Sequence, residues 1–395
     1  MNRKSWVLAP AAGGSAGTAL EEGAVNSALG RWIEERVREE GPVPFARFME
    51  WALYHPEHGY YASGRVRIGD DDGDFTTAPH MSGVFARCLA RWVAAADRAL
   101  GRPEPFVLVE GGPGEGRLAR DLLDALGERE PGLYARLRYA ADEASPALAA
   151  RREALLEPHQ DRCIPVPDRF TGVYLSNELL DAFPVHRVRR RGGRWEEALV
   201  VWDGGLTQTW GPASPEAQAF LDEQGLEVPE GCEAEACPRA LAWLERVAGL
   251  LDRGYVLTID YGDEAERLYG PRRPGGTCAA YRGHRMAEDL LARPGEQDLT
   301  AHVNFTALRR AGERLGLRAA PLLGQRDFLF AAGLAEEVAL LEAELTGMDR
   351  MAAMQALAPL LLPDGGMGDA FKVLVQARAA PLDAVPLDPT AALPA

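Results

Sequence analysis

The sequence predicts an α/β fold: a mostly parallel, Rossmann-like sheet with helices on both faces, plus an N-terminal helical segment and inserted elements. Three observations carry this. From residue 105 onward, short apolar runs alternate with stretches of helical periodicity. Several of those runs end in acidic or polar residues, at the strand ends where open α/β sheets bind their ligands. The first run, "PFVLVE", leads straight into "GGPGEG", four glycines within six residues.

The elements follow in order. Residues 1–23 are small and Gly/Ala-rich and are expected to be flexible. "ALGRWIEERVREEG" reads as an amphipathic helix closed by Gly41, inside a segment expected over 24–100 to be helical. "PFVLVE" (105–110) is short and apolar enough for a buried strand, and "GRLARDLLDAL" follows it as a helix. "LRYAADE" and "SPALAARREALL" repeat the order, with Ser145 as N-cap and Pro146 at the first helical position. "GVYLSNE" and "GYVLTIDYG" are two further strands, and "FTALRRAGERLG", "RAAPLLG" and "FKVLVQAR" complete the series. The core is therefore expected over 101–378, with insertions at about 184–236 and 263–304. In the first insertion Gly192-Gly193 separates two β-rich runs as a hairpin turn does. The second is loop-rich, and the two together are expected to form a lid or substrate lobe. Residues 379–395 are Pro-rich without apolar periodicity and are expected to form a disordered tail.

Composition narrows the partners. With 59 acidic against 43 basic side chains the net charge is −16, which disfavours nucleic acid and anionic membranes. It suits a cationic ligand, a basic protein segment or a small-molecule acceptor. A homodimer is left open. No apolar run approaches the ~18 residues that span a bilayer, so no membrane insertion is expected. The apolar N-terminal run is short and broken by Pro10, which makes a cytoplasmic location the default. The five cysteines are scattered and lack zinc-ligand spacing, as free thiols in a reducing compartment would be. His55 and His58 are two ligands at most, so no metal is expected.

The glycine loop discriminates among nucleotide-like ligands. A triphosphate loop needs Gly-Lys-Ser/Thr, and no lysine follows. A dinucleotide fingerprint starting at Gly112 needs a third glycine at position 117, which is Arg117. What remains is E-x-G-x-G-x-G at Glu110, Gly112, Gly114 and Gly116, the first motif of class I S-adenosylmethionine (SAM) methyltransferases. Glycines there let the backbone pass close to the methionyl and ribose parts, and a nearby carboxylate supports the ammonium. Glu143, at the end of the next strand, is placed to accept from ribose hydroxyls.

Seven further stretches appear in sequence order: "FARFMEWALYHPEHGYYASG", "GDFTTAPHMSGVFARCLARWV", "YLSNELLDAFPVHRV", "VLTIDYG", "GTCAAYRGHRM", "DLTAHVNFTAL" and "GMGDAFKVLV". With them the chain resembles the MidA-like family of SAM-dependent methyltransferases from about Ala28 to Leu374. The resemblance implies a class I methyltransferase fold with added substrate-binding elements, SAM as cofactor and protein arginine methylation. It implies that Gly112, Gly114 and Gly116 form the SAM loop and that Glu143 is the ribose acid. It also implies that Gly73, Phe75, Thr76 and Thr77 fold over the cofactor, and that Asn177, Glu178 and Asp181 face the transferred methyl. Ala78-Pro79-His80 and Cys278-Ala279 depart from the family pattern, the latter by the loss of an arginine.

Methyl transfer from SAM is an in-line displacement, which needs an aligned nucleophile and a timely proton acceptor. A guanidinium nucleophile suits two carboxylates. Glu178 and Asp181 lie three apart and are expected on one helical face, with Glu235 as a third acid. His284 and His302 are candidate bases or substrate contacts, and Asp260 and Tyr261 stand at a strand tip where substrate would bind. A small-molecule O- or N-methyltransferase and a SAM-binding assembly factor with little catalysis stay open as alternatives.

Overall fold

Every stretch read as a core strand from residue 105 onward, outside the two insertions, enters one sheet. The computed structural model describes residues 27–62, 83–283, 285–361 and 367–390. The main strands are β1 (Phe106–Gly111), β2 (Leu137–Asp142), β3 (Cys163–Ile164), β4 (Phe170–Asn177), β5 (Leu251–Asp263), β6 (Arg318–Ala319) and β7 (Phe371–Arg378). They lie in the order β3-β2-β1-β4-β5-β7-β6. The pairs from β3 to β5 are parallel, and β7 runs antiparallel to β5 and β6. The order reverses beside β1, so a crevice opens at the carboxyl ends of β1 and β4.

Alternation along the strands divides the core in two, because successive side chains point to opposite faces. Leu108, Val173, Leu175, Tyr255, Leu257 and Ile259 join one cluster, with α3 (Gly83–Ala99) and α4 (Arg117–Arg129) packed on it. Val107, Val109, Tyr174 and Val256 join the other, under α6 (Pro238–Leu250) and α7 (Phe305–Arg314). The helix expected over "SPALAARREALL" is α5 (Pro146–Leu155), and Ser145 caps it by accepting from the Leu148 amide. Between β6 and β7 the helix Leu334–Glu344 is anchored through Glu337, a fully buried carboxylate. Arg129 reaches it at 2.5 and 2.6 Å and Arg87 at 3.2 Å, which compensates a charge that would otherwise be costly to bury.

Both insertions form sheets. Strands 186–191 and 194–202 meet across the Gly192-Gly193 turn, whose φ values of 57° and 76° are those the hairpin requires. Strands 206–212, 233–236 and 43–44 complete a five-stranded antiparallel sheet. Strands 279–282, 285–287 and 298–300 form a smaller one. The helices α1 (Ala28–Glu40) and α2 (Phe45–Tyr54) share a core with both: Leu29, Ile33 and Phe48 pack with Val185, Val200, Ala280 and Leu299.

Two expected boundaries change. The segment expected over 24–100 divides, since α1 and α2 join the inserted sheets whereas α3 buries Trp92 and Val93 in the main core. The tail expected to be disordered is ordered as far as residue 390. Ala380 and Val385 are buried, and the carbonyls of Ala380 and Pro381 accept from Arg318 and Tyr255. An irregular segment can dock through single side chains and carbonyls, which leave no periodicity to read.

Candidate functional site

The glycine loop leaves β1 and turns into α4 through three left-handed glycines: Gly112 (φ 64°), Gly114 (φ 55°) and Gly116 (φ 86°). A Cβ at Gly112 would lie 2.7 Å from Leu179 Cδ1, and one at Gly116 would lie 2.6 Å from Arg152 Cγ. Sterics and backbone together therefore demand glycine. Glu143 steadies the loop, accepting from Gly114 N (3.1 Å) and Ser145 N (2.8 Å). At the end of β4, Ser176 Oγ and Asn177 Oδ1 are buried with no hydrogen-bond partner among the described residues. Buried polar atoms are almost always paired, so these two and the open glycine cradle fit a polar ligand such as SAM.

Glu110 lies beneath the loop and accepts from Tyr139 Oη at 2.9 Å. Burial pushes its carboxyl up to about 7, against the pull of Tyr139 and Arg152. Because this folded value lies above the unfolded one, the native state keeps a proton that the unfolded chain releases. The contribution to stability is full below pH about 4.5 and is lost as pH rises through about 7, a change of roughly 3 kcal/mol. Glu110→Gln is expected to flatten that part of the slope, as urea unfolding at pH 5 and 7.5 would show. An unchanged slope would count against it.

The acidic residues after β4 do not form the expected helix face. Glu178 takes a left-handed conformation (φ 52°), rare for a residue with a side chain, and its N–H donates to Ile259 O at 3.0 Å. Residues 178–183 then follow as turns and bends. Asp260 holds them in place: its Oδ2 accepts from Leu179 N (3.1 Å) and Leu180 N (2.8 Å), and its Oδ1 from Tyr261 N (2.9 Å). Burial pushes Asp260 up to about 7 despite these amides. Asp260 was expected to touch substrate; its carboxylate instead shapes the turn that carries Glu178 and Asp181. Asp260→Asn is expected to cost about 1–3 kcal/mol of stability by turning an amide group toward backbone N–H donors. A chemical melt within 0.5 kcal/mol of the parent would contradict that.

Glu178 and Asp181 nevertheless share one electrostatic environment. Burial raises Asp181 well above the usual carboxylate range, and Asp260, Asp298 and Glu178 push in the same direction. Asp298 arrives from strand 298–300 of the second insertion, whose next residue, Ala301, donates its N–H to Asp181 O at 2.9 Å. Tyr61 Oη donates to Asp298 Oδ1 at 2.8 Å, and Tyr54 stacks on Tyr61 with ring centroids 5.8 Å apart. Tyr261 lies within electrostatic reach of Glu178, Asp181 and Tyr281, and its ring rests on Phe371. Asp298, Tyr54, Tyr61 and Tyr281 were not singled out in the sequence. "DLTAHVNF" and "HGYY" stood in view, but nothing in their spacing says that they meet "NELLDA".

Two expected acid–base residues have other work. Glu235 accepts from Thr277 N (2.6 Å), Thr277 Oγ1 (2.8 Å) and Cys278 N (3.2 Å). The third catalytic acid of the sequence reading is thus a buried staple for the turn at Gly276–Cys278. It is also the anchor of the Cys278-Ala279 departure. His302 lies 6.2 Å from the Tyr261 ring and 3.3 Å from Arg273 Nη1. Burial, reinforced by Arg273, lowers it to about 4, so at neutral pH it is uncharged and a weak base. Gly73, Phe75, Thr76, Thr77 and His284 lie outside the described residues. Among the described residues there is no cluster of three or more metal-ligating side chains and no helix long and apolar enough to cross a membrane.

Known proteins match along the same frame. Residues 88–322 match a family model of S-adenosyl-L-methionine-dependent methyltransferases. A Drosophila melanogaster relative, the mitochondrial protein arginine methyltransferase NDUFAF7 homolog, is 30% identical over 74% of this chain and 71% of its own length. Its Xenopus tropicalis counterpart is 30% identical over 76% and 74%. A crystal structure of a Burkholderia thailandensis protein bound to S-adenosyl-homocysteine superposes with a TM-score of 0.80 at 34% identity, covering 90% of this chain and 94% of that one. The expected cytoplasmic location is overturned by these curated relatives, which are mitochondrial proteins. Covered from α3 to beyond β6 by the family model, and along most of its length by relatives, the chain belongs to the S-adenosyl-L-methionine-dependent methyltransferase family.

Proposed function

We propose that this enzyme methylates a side-chain nitrogen of a protein, with arginine the favoured acceptor. The observation that carries the reading is the group of acids and tyrosines beside the glycine loop, with Asp181, Asp260 and Asp298 buried and Glu178 and Tyr261 half-buried. Relatives named as protein arginine methyltransferases support it, and the net charge of −16 suits a basic protein segment.

The backbone at Gly112, Gly114 and Gly116, with Glu143 and Asn177, would hold SAM, which when bound would supply an electrophilic methyl group on a sulfonium and leave as the neutral thioether. Everything else falls to the chain. Glu178 and Asp181 would bind the guanidinium through its N–H groups and hold one nitrogen in line with the methyl. A carboxylate of that pair would then accept the proton that the nitrogen sheds as the new bond forms. The strained Glu178 backbone is consistent with such a task, since sparsely populated conformations persist where surrounding structure enforces them. Residues 27–62 and the two insertions would form one acceptor-side unit.

Incubation with methyl-labelled SAM and a cell extract, followed by amino-acid analysis of labelled protein, tests the reading. Label in methylarginine supports it. Label confined to small molecules would instead favour a biosynthetic O- or N-methyltransferase and overturn it.

A further inference from the structure

We propose that Asp298, carried by the second insertion and flanked by Tyr61 and Tyr281, is the specificity-determining acid of the acceptor site. Its strand is tied to the turn that carries Asp181 through the Ala301 N–H, and its carboxylate selects a planar guanidinium over a lysine ammonium. This rests on the arginine reading above and adds to it a residue and a basis for choosing between cations.

The placement is specific. Asp298 is 4% exposed, so its carboxylate is not a solvated surface charge. It accepts from Tyr61 Oη at 2.8 Å, and it acts electrostatically on Asp181, Tyr54, Tyr61 and Tyr281. Tyr281 stands directly across the small sheet, in register with Asp298. The Ala301 N–H to Asp181 O bond ties the end of the same strand to the turn after β4. Tyr61 links both halves of the site, because its carbonyl accepts from Ser145 Oγ at 3.3 Å beside Glu143 while its hydroxyl serves Asp298. The inserted sheet thus presents a third carboxylate to a pair that belongs to the core.

Chemistry says what such a site takes. Carboxylates gathered from distant parts of the chain repel one another and are poorly hydrated when buried, so a cation is their natural ligand. An ammonium is a compact point charge. A guanidinium carries five N–H donors in a rigid plane, enough to serve more than one carboxylate, and offers flat faces to tyrosine rings. Tyr281, 36% exposed at the edge of the cluster, is the ring open to an incoming side chain.

The test compares wild type, Asp298→Asn and Tyr281→Ala, using a glycine-rich peptide with one arginine and its lysine counterpart. Peptide affinity is measured by calorimetry on protein loaded with S-adenosylhomocysteine, and turnover is measured with SAM. Asp298→Asn is expected to weaken arginine-peptide binding and raise its KM by about 10–100-fold. kcat should fall less than tenfold, and the preference for arginine over lysine should shrink toward unity. Affinity for S-adenosylhomocysteine should stay within threefold, which a merely structural role for Asp298 would not spare. Tyr281→Ala, at an exposed position, is expected to raise KM about five-fold with an unchanged melting temperature. It decides the matter if Asp298→Asn fails to fold. Unchanged KM and preference in folded variants would overturn the proposal while leaving arginine methylation intact. Arginine-peptide binding lost on Asp298→Asn, with no methyl transfer to arginine in the wild type, would do the reverse.

Discussion

Asp181→Asn is expected to lower kcat by about 10²–10⁴-fold while cofactor affinity stays within a few-fold. Burial together with Asp260, Asp298 and Glu178 disfavours the charged form of Asp181, which a bound cation would favour. Asparagine has the same shape but can neither take up that charge nor accept the proton shed by the attacking nitrogen. Its own N–H₂ would also face the donors of a guanidinium. Single-turnover transfer with labelled SAM measures the loss, and calorimetry with S-adenosylhomocysteine measures the affinity. A variant that turns over within tenfold of wild type would place the chemistry elsewhere. Loss of both turnover and affinity would mean that Asp181 builds the cofactor site instead.

Gly112→Val is expected to weaken cofactor binding by about 100-fold or more. A β-branched residue is a genuine outlier at φ 64°, and strain of this kind costs on the order of 1–3 kcal/mol. The added Cβ would also lie 2.7 Å from Leu179 Cδ1, so the Leu179 side chain must shift to admit it. The backbone strain falls on a loop whose Gly112 N–H donates to Asp142 O at 2.9 Å and whose Gly114 N–H is held by Glu143. Through Leu179 the disturbance reaches the turn that carries Asp181, so turnover at saturating cofactor should fall as well. Calorimetry checks the affinity and a thermal melt checks that the fold survives. Binding within threefold of wild type would remove the loop from the cofactor site.

How much was legible depended on whether a feature is local. The strand at Phe106–Gly111, the cap at Ser145 and the Gly192-Gly193 turn each rest on neighbouring residues, and each stands where the residue pattern put it. The turn after β4 was misread as helix because its stabiliser, Asp260, is contributed by another strand. Glu235 looked like a spare acid because its partners Thr277 and Cys278 are more than forty residues away in the chain. The docked tail was misread for the same reason: its partners Tyr255 and Arg318 lie on distant strands.

The sequence by itself determined the fold class, the cofactor and the loop that cradles it. Strand periodicity and the spacing of Gly112, Gly114 and Gly116 are short-range properties, governed by backbone sterics that act within a few residues. The tertiary structure alone decided which acids meet. Glu178 and Asp181 follow a core strand, Asp298 comes from an inserted sheet and Tyr61 from the segment after α2, and only packing brings them together. A carboxylate's role is set by the charges, amides and hydroxyls that surround it. For these residues the surroundings come from distant parts of the chain, so the same residue type serves as a staple at Glu235, a brace at Asp260 and a member of the acid cluster at Asp181.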